Sequence, residues 1–191
     1  MHISIVGAGY VGLVTAACLA HVGQHVACID VDEARIERLR GGDLPVHEPG
    51  LDELVAEGLA SGGLSFATEY AAMSDSDRII VAVGTLDAEE EWDGSIVRAA
   101  VRAIAEDRSL PRDIVIRSTL MPGTAVALAQ EIRALEPDVR LAHKPEFTRE
   151  ATAVQDFLEP DRVVAGVDGH DDGGRGTALA AALREVYEPF D

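Results

Sequence analysis

The hydrophobic positions of the chain fall into short continuous runs that alternate with longer segments of helical periodicity. Each short run predicts a buried strand, and such runs occupy residues 1–6, 25–29, 64–67, 78–83, 113–117, 139–142 and 162–167. The longer segments predict helices that end at glycine or polar residues, over residues 10–22, 32–40, 51–59, 69–73, 95–105, 124–135 and 177–187. This alternation is typical of an α/β fold with a doubly wound, mostly parallel sheet and helices on both faces.

The chain length predicts one domain. A chain of 191 residues suits a single unit, and no internal repeat or linker divides it, because the Gly/Asp-rich turn at residues 168–176 is too short to separate two domains. We therefore expect one domain over residues 1–191. The apolar fraction of 47% is enough for a sizeable core, and aromatic residues contribute only 4%, so this core must be mainly aliphatic.

The formal net charge of −18 argues against nucleic acid and against an anionic membrane surface as partners. An anionic ligand must then be held by local features of the fold. Lys144 is the only lysine among 16 basic residues. An acidic, lysine-poor composition fits a salt-adapted cytoplasm, where screening tolerates such charge. It equally fits a GC-rich genome, which favours arginine and aspartate codons.

The N-terminal and cysteine patterns indicate a soluble, cytoplasmic protein. No basic region or cleavage site marks a signal peptide, and no apolar stretch approaches the ~18 residues of a transmembrane helix. Cys18 and Cys28 are too few for a disulfide framework. With His21 and His25 they have spacings that superficially suit zinc. They run from a helix into the interior of a strand, however, so no metal site is predicted.

A glycine-rich turn, G-A-G-Y-V-G at residues 7–12, joins the first strand to the first helix. Gly7 permits the tight turn, Gly9 lets a pyrophosphate approach backbone N–H groups, and Gly12 lets the helix pack closely against the strand. The helix N-terminus adds partial positive charge and free donors, which hold an anion despite the acidic net charge. The turn predicts a Rossmann-type domain with cofactor contacts from Gly7, Gly9, Tyr10, Val11 and Gly12.

Asp30 ends the second predicted strand, close to the ~20-residue spacing at which such domains carry a ribose-binding acid. A carboxylate there accepts hydrogen bonds from both ribose hydroxyls and repels a 2′-phosphate, so NAD is favoured over NADP. The structural alternative is that Asp30 only forms the turn at the end of the strand.

Beyond the glycine turn, five further motifs resemble one family, the UDP-glucose/GDP-mannose dehydrogenases. They are P-V-H-E-P-G-L at residues 45–51, V-A-V-G-T at 81–85, S-T-L-M-P-G-T at 118–124, P-E-F-T-R-E at 145–150 and D-F-L-E-P-D-R at 156–162. The resemblance spans nearly the whole chain but only the N-terminal cofactor domain of the family. It implies the NAD-binding domain of a nucleotide-sugar 6-dehydrogenase, which oxidises a hydroxymethyl group to a carboxylate, as from UDP-glucose to UDP-glucuronate, in two NAD-dependent hydride transfers.

The resemblance also implies roles for four side chains. Thr85 is expected near the ribose and phosphates of the cofactor. Thr119 is expected to hold the catalytic water and the nicotinamide end, and Glu146 to be the general base or to orient that water. Glu150 is expected to contact the nicotinamide amide or ribose. The catalytic candidates are therefore Thr119, Glu146 and Glu150.

These roles have physical support and structural alternatives. Both threonines follow predicted strands, whose carboxyl ends bind ligands in open α/β sheets, but Thr85 and Thr119 also suit helix or turn caps. A partly shielded glutamate can carry the raised pKa that acid–base chemistry needs. Glu146 and Glu150 are also spaced as on one solvated helix face.

The sequence departs from the family pattern at several positions. Lys144 stands where the family has asparagine, which places an ammonium beside Glu146. Either this charge lowers the pKa of Glu146, or Lys144 points to solvent. Leu86 replaces a proline, Met121 and Pro122 replace Pro-Val, and Ala151 replaces a glycine.

The family's cysteine segment, its central helix and its second domain do not occur in the sequence. Cys18 and Cys28 are predicted to be small core residues, so neither supplies the nucleophile. The chain alone is therefore expected to be inactive, and to bind a nucleotide sugar only if a C-terminal portion completes it. A monomer and a homodimer both stay open because the family's dimer depends on the central helix, and an apolar face is expected to be exposed.

Three functions fit these observations. The first is the cofactor half of a nucleotide-sugar dehydrogenase. The second is a stand-alone or degenerate NAD-binding module without catalysis. The third is a dehydrogenase of the 6-phosphogluconate-dehydrogenase-like group, whose usual helical second domain does not occur in the sequence.

Overall fold

Strands and helices alternate in the computed structural model, which describes residues 1–87, 89–167 and 174–190. The strands are β1 (His2–Val6), β2 (His25–Ile29), β3 (Leu64–Ala67), β4 (Arg78–Val81), β5 (Asp113–Ile116), β6 (Arg140–His143) and β7 (Gly166–Val167). The helices are α1 (Tyr10–His21), α2 (Glu33–Arg40), α3 (Leu51–Ser61), α4 (Ser95–Glu106), α5 (Thr124–Leu135), α6 (Ala153–Leu158) and α7 (Arg175–Tyr187). Short 3-10 turns occupy Tyr70–Met73 and Glu188–Phe190.

The strands of the described part form one sheet in the order β3-β2-β1-β4-β5-β6-β7. All neighbouring strands are parallel except β7, which runs antiparallel to β6. From β1 the chain adds β2 and β3 on one side, and then returns to add β4 and the later strands on the other side of β1. The direction of the strand order therefore reverses between β1 and β4. Open α/β sheets bind ligands at such a switch point, outside the carboxyl ends of the strands. The predicted doubly wound, mostly parallel sheet is confirmed.

The two faces of the sheet carry separate halves of the core. Along β4, Ile80 packs on one face, while Ile79 and Val81 pack on the other, as the period of two in a strand requires. The first face is covered by α1, α2, α3, α6 and α7, and the second by α4 and α5. The residues of α1 from Gly12 to Leu19 are all buried, which explains why this segment is apolar on every side.

Two elements differ from those predicted by the sequence. The strand predicted at residues 162–167 is limited to Gly166–Val167, because its partner β6 ends at His143 and Pro145 soon follows, which cannot donate to a ladder. Val163 and Val164 are consequently about 40% exposed, at 39% and 44%. Helix α6 lies where no element was predicted, since six residues are too few to show helical periodicity. Of the predicted turn at residues 168–176, positions 168–173 lie outside the described residues.

The cysteine side chains lie in the core. Cys18 and Cys28 are both fully buried, and burial raises the pKa of the Cys18 thiol to about 12. Burial also raises the pKa of Cys28, whose thiol lies 3.9 Å from the Gly7 carbonyl oxygen. Within the described ranges, no helix has the length and apolar character needed to cross a bilayer.

Candidate functional site

The glycine turn lies at the switch point of the sheet, between β1 and α1. Gly7 has a φ of +106°, and a Cβ there would lie 2.6 Å from the Ala82 carbonyl oxygen. A Cβ at Gly12 would lie 1.8 Å from the Gly7 carbonyl oxygen, whereas no protein atom lies within 4 Å of a Cβ built on Gly9. Gly7 and Gly12 are therefore required by the protein's own packing, and Gly9 faces open space.

The N-terminus of α1 points its free backbone donors at this open space. Gly9 is the N-cap, so no side chain caps the helix, and its first turn carries no acidic residue. The first N–H groups of a helix lack intrahelical acceptors and carry partial positive charge. An anionic phosphate beside Gly9 would therefore meet unsatisfied donors and no competing carboxylate of the helix.

Asp30 lies beside the turn. Its carboxylate makes hydrogen bonds within the protein and also lines the neighbouring cavity. Its Oδ2 accepts a hydrogen bond from the Ala8 N–H at 2.8 Å and one from Arg35 Nη1 at 2.9 Å. Its Oδ1 accepts one from the Asp32 N–H at 3.0 Å. Asp30 thus organises the end of β2, as the structural alternative states, and also lines the cavity next to the turn.

This cavity has a volume of about 510 Å³, within the usual range for a small-molecule site. Gly7 and Gly9 lie at one side, and Asp30 and Arg35 supply its charged groups. Its apolar wall is formed by Val6, Ile29, Val31, Tyr70, Val83 and Ile96. The arrangement suits a flat, partly apolar group attached to a ribose and a phosphate.

Glu48 ties the glycine turn to a second functional segment. Its carboxylate is 1% exposed and accepts a hydrogen bond from the Tyr10 hydroxyl at 2.5 Å and from the Ala151 N–H at 2.9 Å. The Val154 N–H lies 3.4 Å from its other oxygen. Burial and the hydrogen bond to Glu48 raise the pKa of Tyr10. The buried carboxylate of Glu48 therefore accepts hydrogen bonds from both helix α1 and the segment before α6.

Ala151 has a left-handed backbone, with a φ of +68°, at the position where the family pattern has glycine. This conformation is strained for a residue with a Cβ. The hydrogen bond from its N–H to Glu48 is one interaction that holds it in place. Ala151 therefore keeps the left-handed backbone conformation that a glycine would adopt at this position, although the residue differs from the family pattern.

Glu146 lies after β6 and is held by three donors. Its Oε1 accepts hydrogen bonds from the N–H groups of Phe147 and Thr148 at 3.0 and 2.9 Å, and its Oε2 pairs with the guanidinium of Arg117. A carboxylate has about four acceptor positions, so one remains for a water or a substrate group. Because residues 144–149 are not helical, the alternative of a helix face shared by Glu146 and Glu150 is wrong.

Of the two expectations for Lys144, the one that it points to solvent is wrong. Its side chain is buried, 7% exposed, and its ammonium lies 4.6 Å from the ring centroid of Tyr187 and 5.9 Å from that of Phe157. It does not point to solvent, and no ion pair joins it to Glu146 in the described part of the chain. Burial, together with the nearby Arg117 charge, lowers the pKa of Lys144 to about 7.

Both threonines lie in loops after strands of the switch region. Thr85 follows β4 and is half-buried, while Thr119 follows β5 and is exposed. Neither caps a neighbouring helix, because the N-cap residues of α4 and α5 are Gly94 and Gly123. Their backbone carbonyls accept hydrogen bonds from the Asp93 N–H at 2.8 Å and from the Trp92 indole N–H at 3.2 Å. The side chains are thus left for other partners.

Glu150 is exposed and lies next to the strained Ala151. Its negative charge contributes to the raised pKa of Tyr10, after burial and the interactions with Glu48. Hydrogen bonds bring Tyr10, Glu48 and Ala151 together, and Glu150 precedes Ala151 in the chain.

Three functional side chains were missed by sequence reasoning. Arg35 pairs with Asp30 and Arg117 with Glu146, and Glu48 joins two segments. Arg35 follows Asp30 by about one helical turn, a spacing that could have suggested the pair. The contacts of Glu48 and Arg117 join residues far apart in sequence, so nothing local signals them.

The fold and this site define a dinucleotide-binding domain of the dehydrogenase type. Residues 1–191 match the UDP-glucose/GDP-mannose dehydrogenase family, NAD binding domain, and the chain belongs to this family. NAD is the cofactor, and the open space at Gly9, the free donors of α1 and the carboxylate of Asp30 fit it. When bound, NAD supplies a hydride acceptor.

Known proteins similar to this chain carry a longer sequence. UDP-glucose 6-dehydrogenase of Rhizobium meliloti is 42% identical over the whole chain, which covers 44% of that protein. A GDP-mannose dehydrogenase of Pseudomonas aeruginosa, solved as a ternary complex, aligns with a TM-score of 0.87 at 32% identity, and 45% of it is covered. A UDP-glucose dehydrogenase of Pyrobaculum islandicum aligns with a TM-score of 0.85 at 36% identity, and 44% of it is covered. The chain thus spans less than half the length of these relatives.

Proposed function

We propose that the chain is the cofactor-binding part of an enzyme that oxidises the primary alcohol of a nucleotide sugar. The observation that carries this proposal is the buried link from the Tyr10 hydroxyl through Glu48 to the Ala151 N–H. This link holds the segment of Glu146 and Glu150 beside the turn that binds the pyrophosphate. In this segment the carboxylate of Glu146 keeps one acceptor position open, which a catalytic water beside the cofactor could use.

The residues around the glycine turn position the cofactor. The free N–H groups after Gly9 would bind the pyrophosphate. Three donors already occupy the carboxylate of Asp30, so its one remaining acceptor position would take a hydrogen bond from a hydroxyl of the adenosine ribose. Thr85, in the loop after β4, would lie near the ribose and phosphates, and Glu150 would contact the nicotinamide end.

Thr119 and Glu146, which would face the substrate, orient a water molecule. Thr119 is exposed at the end of β5, and its hydroxyl contacts the water. The carboxylate of Glu146 accepts a hydrogen bond from the same water at its one remaining acceptor position. Because Arg117 and two backbone N–H groups fix the carboxylate of Glu146, it holds a water in a defined direction. Positioning of this kind lowers the entropy cost of the attack of water on an oxidised carbon.

A thiol for a covalent step does not come from the residues of this chain. Cys18 and Cys28 are fully buried, and their raised pKa values disfavour the thiolate that a nucleophile needs. The 191-residue chain with NAD and UDP-glucose is therefore expected to give no sustained NADH.

A chimeric enzyme tests the proposed function. The chain would replace the matching N-terminal part of the Rhizobium meliloti relative, and binding of NAD to the chimera would be measured first. We expect NADH formation from UDP-glucose, and Glu146→Gln should lower kcat about 100-fold or more with little change in the Kd for NAD. Glu53→Gln, an exposed change on α3, is the matched control and should leave kcat unchanged.

Two results would contradict the proposal. Full activity of the Glu146→Gln chimera would remove Glu146 from the mechanism. A chimera that binds NAD normally but forms no NADH would favour the alternative, a binding module without catalysis.

A further inference from the structure

A small pocket lies behind Glu146, between the ends of β5 and β6 and the aromatic residues of α6 and α7. Arg117, Lys144 and Glu146 line it together with the rings of Phe157 and Tyr187. Its volume is about 30 Å³, and a single water needs about 10–15 Å³ by the same measure. The pocket therefore has room for one or two water-sized groups.

The pocket contains more positive than negative charge. Arg117 and Lys144 are 2% and 7% exposed, and both lie against the ring of Phe157, at 5.0 and 5.9 Å from its centroid. The nearest carboxylate, Glu146, already pairs with Arg117, and Asp156 pairs with Arg149. Lys144 has no carboxylate within ion-pair distance among the described residues.

Arg117 also has unused hydrogen-bonding capacity at this pocket. Its Nε and Nη1 are buried and make no hydrogen bond in the part of the chain that the structure describes, and the buried Tyr187 hydroxyl beside this guanidinium is likewise unpaired. A buried guanidinium N–H without an acceptor costs free energy comparable to a lost hydrogen bond to a charged group. A ligand that accepts hydrogen bonds and carries negative charge would satisfy both Arg117 and Lys144.

We propose that this pocket binds a small monovalent anion of halide size, held by the ammonium of Lys144 and the free guanidinium N–H groups of Arg117. The volume excludes phosphate esters and nucleotides. A halide is only slightly larger than water and needs no directional contacts beyond donors, so it fits a pocket of this volume lined by two buried cations. The proposal does not depend on the proposed function, because it rests on the charge and volume of the pocket alone.

The anion should bind more tightly when Lys144 is protonated. The charged and titratable groups that face the pocket are Arg117, Glu146, Asp156, Arg162 and Tyr187. Of the groups at the pocket, Lys144 is the one that changes charge near neutrality, since its pKa is lowered to about 7 by burial and by Arg117. Affinity for the anion is therefore expected to fall as the pH rises through 7.

Bromide is a direct probe for this site. Crystals of the chain grown in sodium bromide should show an anomalous peak between Lys144 and Arg117, and the Lys144→Met variant should not. In solution, bromide should raise the Tm of the unmodified chain by about 3 °C relative to gluconate, which is too large for the pocket, at equal ionic strength. Lys144→Met keeps the length of the side chain and removes a buried charge, so it should fold.

The control variant is Arg108→Met, which removes an exposed charge in the loop before β5, whereas Arg117 follows the other end of that strand. It should retain the full effect of bromide on Tm. The same bromide effect in Lys144→Met as in the unmodified chain, or a pocket that holds only water in the bromide crystals, would overturn the proposal.

Discussion

Replacing Gly12 with alanine should abolish measurable NAD binding and lower the Tm, whereas Gly9→Ala should weaken NAD binding with the Tm unchanged. The two glycines lie three residues apart in the same turn, but only Gly12 is packed against protein backbone. A Cβ on Gly12 would lie 1.8 Å from the Gly7 carbonyl oxygen, and neither atom can move without breaking the turn. Overpacking of this kind costs about 1–3 kcal/mol or more.

The expected loss at Gly9 has a different origin. A Cβ there meets no protein atom within 4 Å, so the folded chain tolerates it. The methyl group occupies the space through which the pyrophosphate approaches the backbone, which should raise the Kd for NAD about 10- to 100-fold. Calorimetry and thermal melting on both variants separate the effects. Normal NAD binding by Gly9→Ala would show that the phosphates lie elsewhere.

Replacing Glu48 with alanine should lower the free energy of unfolding by about 3 kcal/mol and weaken NAD binding. Its buried carboxylate accepts hydrogen bonds from the Tyr10 hydroxyl and from two backbone N–H groups. Removing it leaves one fully buried donor, Val154 N–H, and two partly buried donors without this partner, and a buried donor that loses its partner costs about 1–3 kcal/mol. The segment at Ala151 would also lose a bond that holds its left-handed backbone. Urea denaturation gives the change in stability.

Two further variants define the origin of this effect. Tyr10→Phe removes one of the three donors and leaves the carboxylate, so it should cost about 1 kcal/mol. Glu53→Ala, an exposed change on α3, should remain within about 0.5 kcal/mol of the unmodified chain. Equal stability of Glu48→Ala and Glu53→Ala would mean that Glu48 does not connect the two segments.

The sequence predicts the strand, turn and helix around Gly7 and Gly12 well, because this part of the fold depends on local geometry. The strand, the glycine turn and the helix follow one another within a few residues, and Asp30 ends the neighbouring strand. Each of these features is visible in the sequence. A positive φ and a close helix–strand contact both require glycine, and the acid at the strand end stands at a fixed spacing from the turn. The structure shows these features where the pattern indicates them.

The region around Glu146, proposed to face the substrate, was less predictable because its contacts join distant segments. Arg117 and Glu146 come from different strand ends, and the partner of Lys144 is an aromatic ring of α7, about 40 residues later in the sequence. Periodicity suggested a helix face for Glu146 and Glu150, but Pro145 and the hydrogen bonds of Glu146 to its own following N–H groups favour an extended loop. Long-range pairs of this kind appear only when the strand order is known.

Calorimetric titration of the 191-residue chain with NAD, and separately with NADP, tests whether the glycine turn and Asp30 form an NAD site. In the proposed site a ribose hydroxyl donates a hydrogen bond to the carboxylate of Asp30, which would repel a 2′-phosphate, while Arg35 is already neutralised by its ion pair with Asp30. We expect saturable binding of one NAD per chain, with an affinity at least about tenfold higher than that for NADP. Absence of saturable NAD binding, or NADP binding as tight as that of NAD, would contradict it.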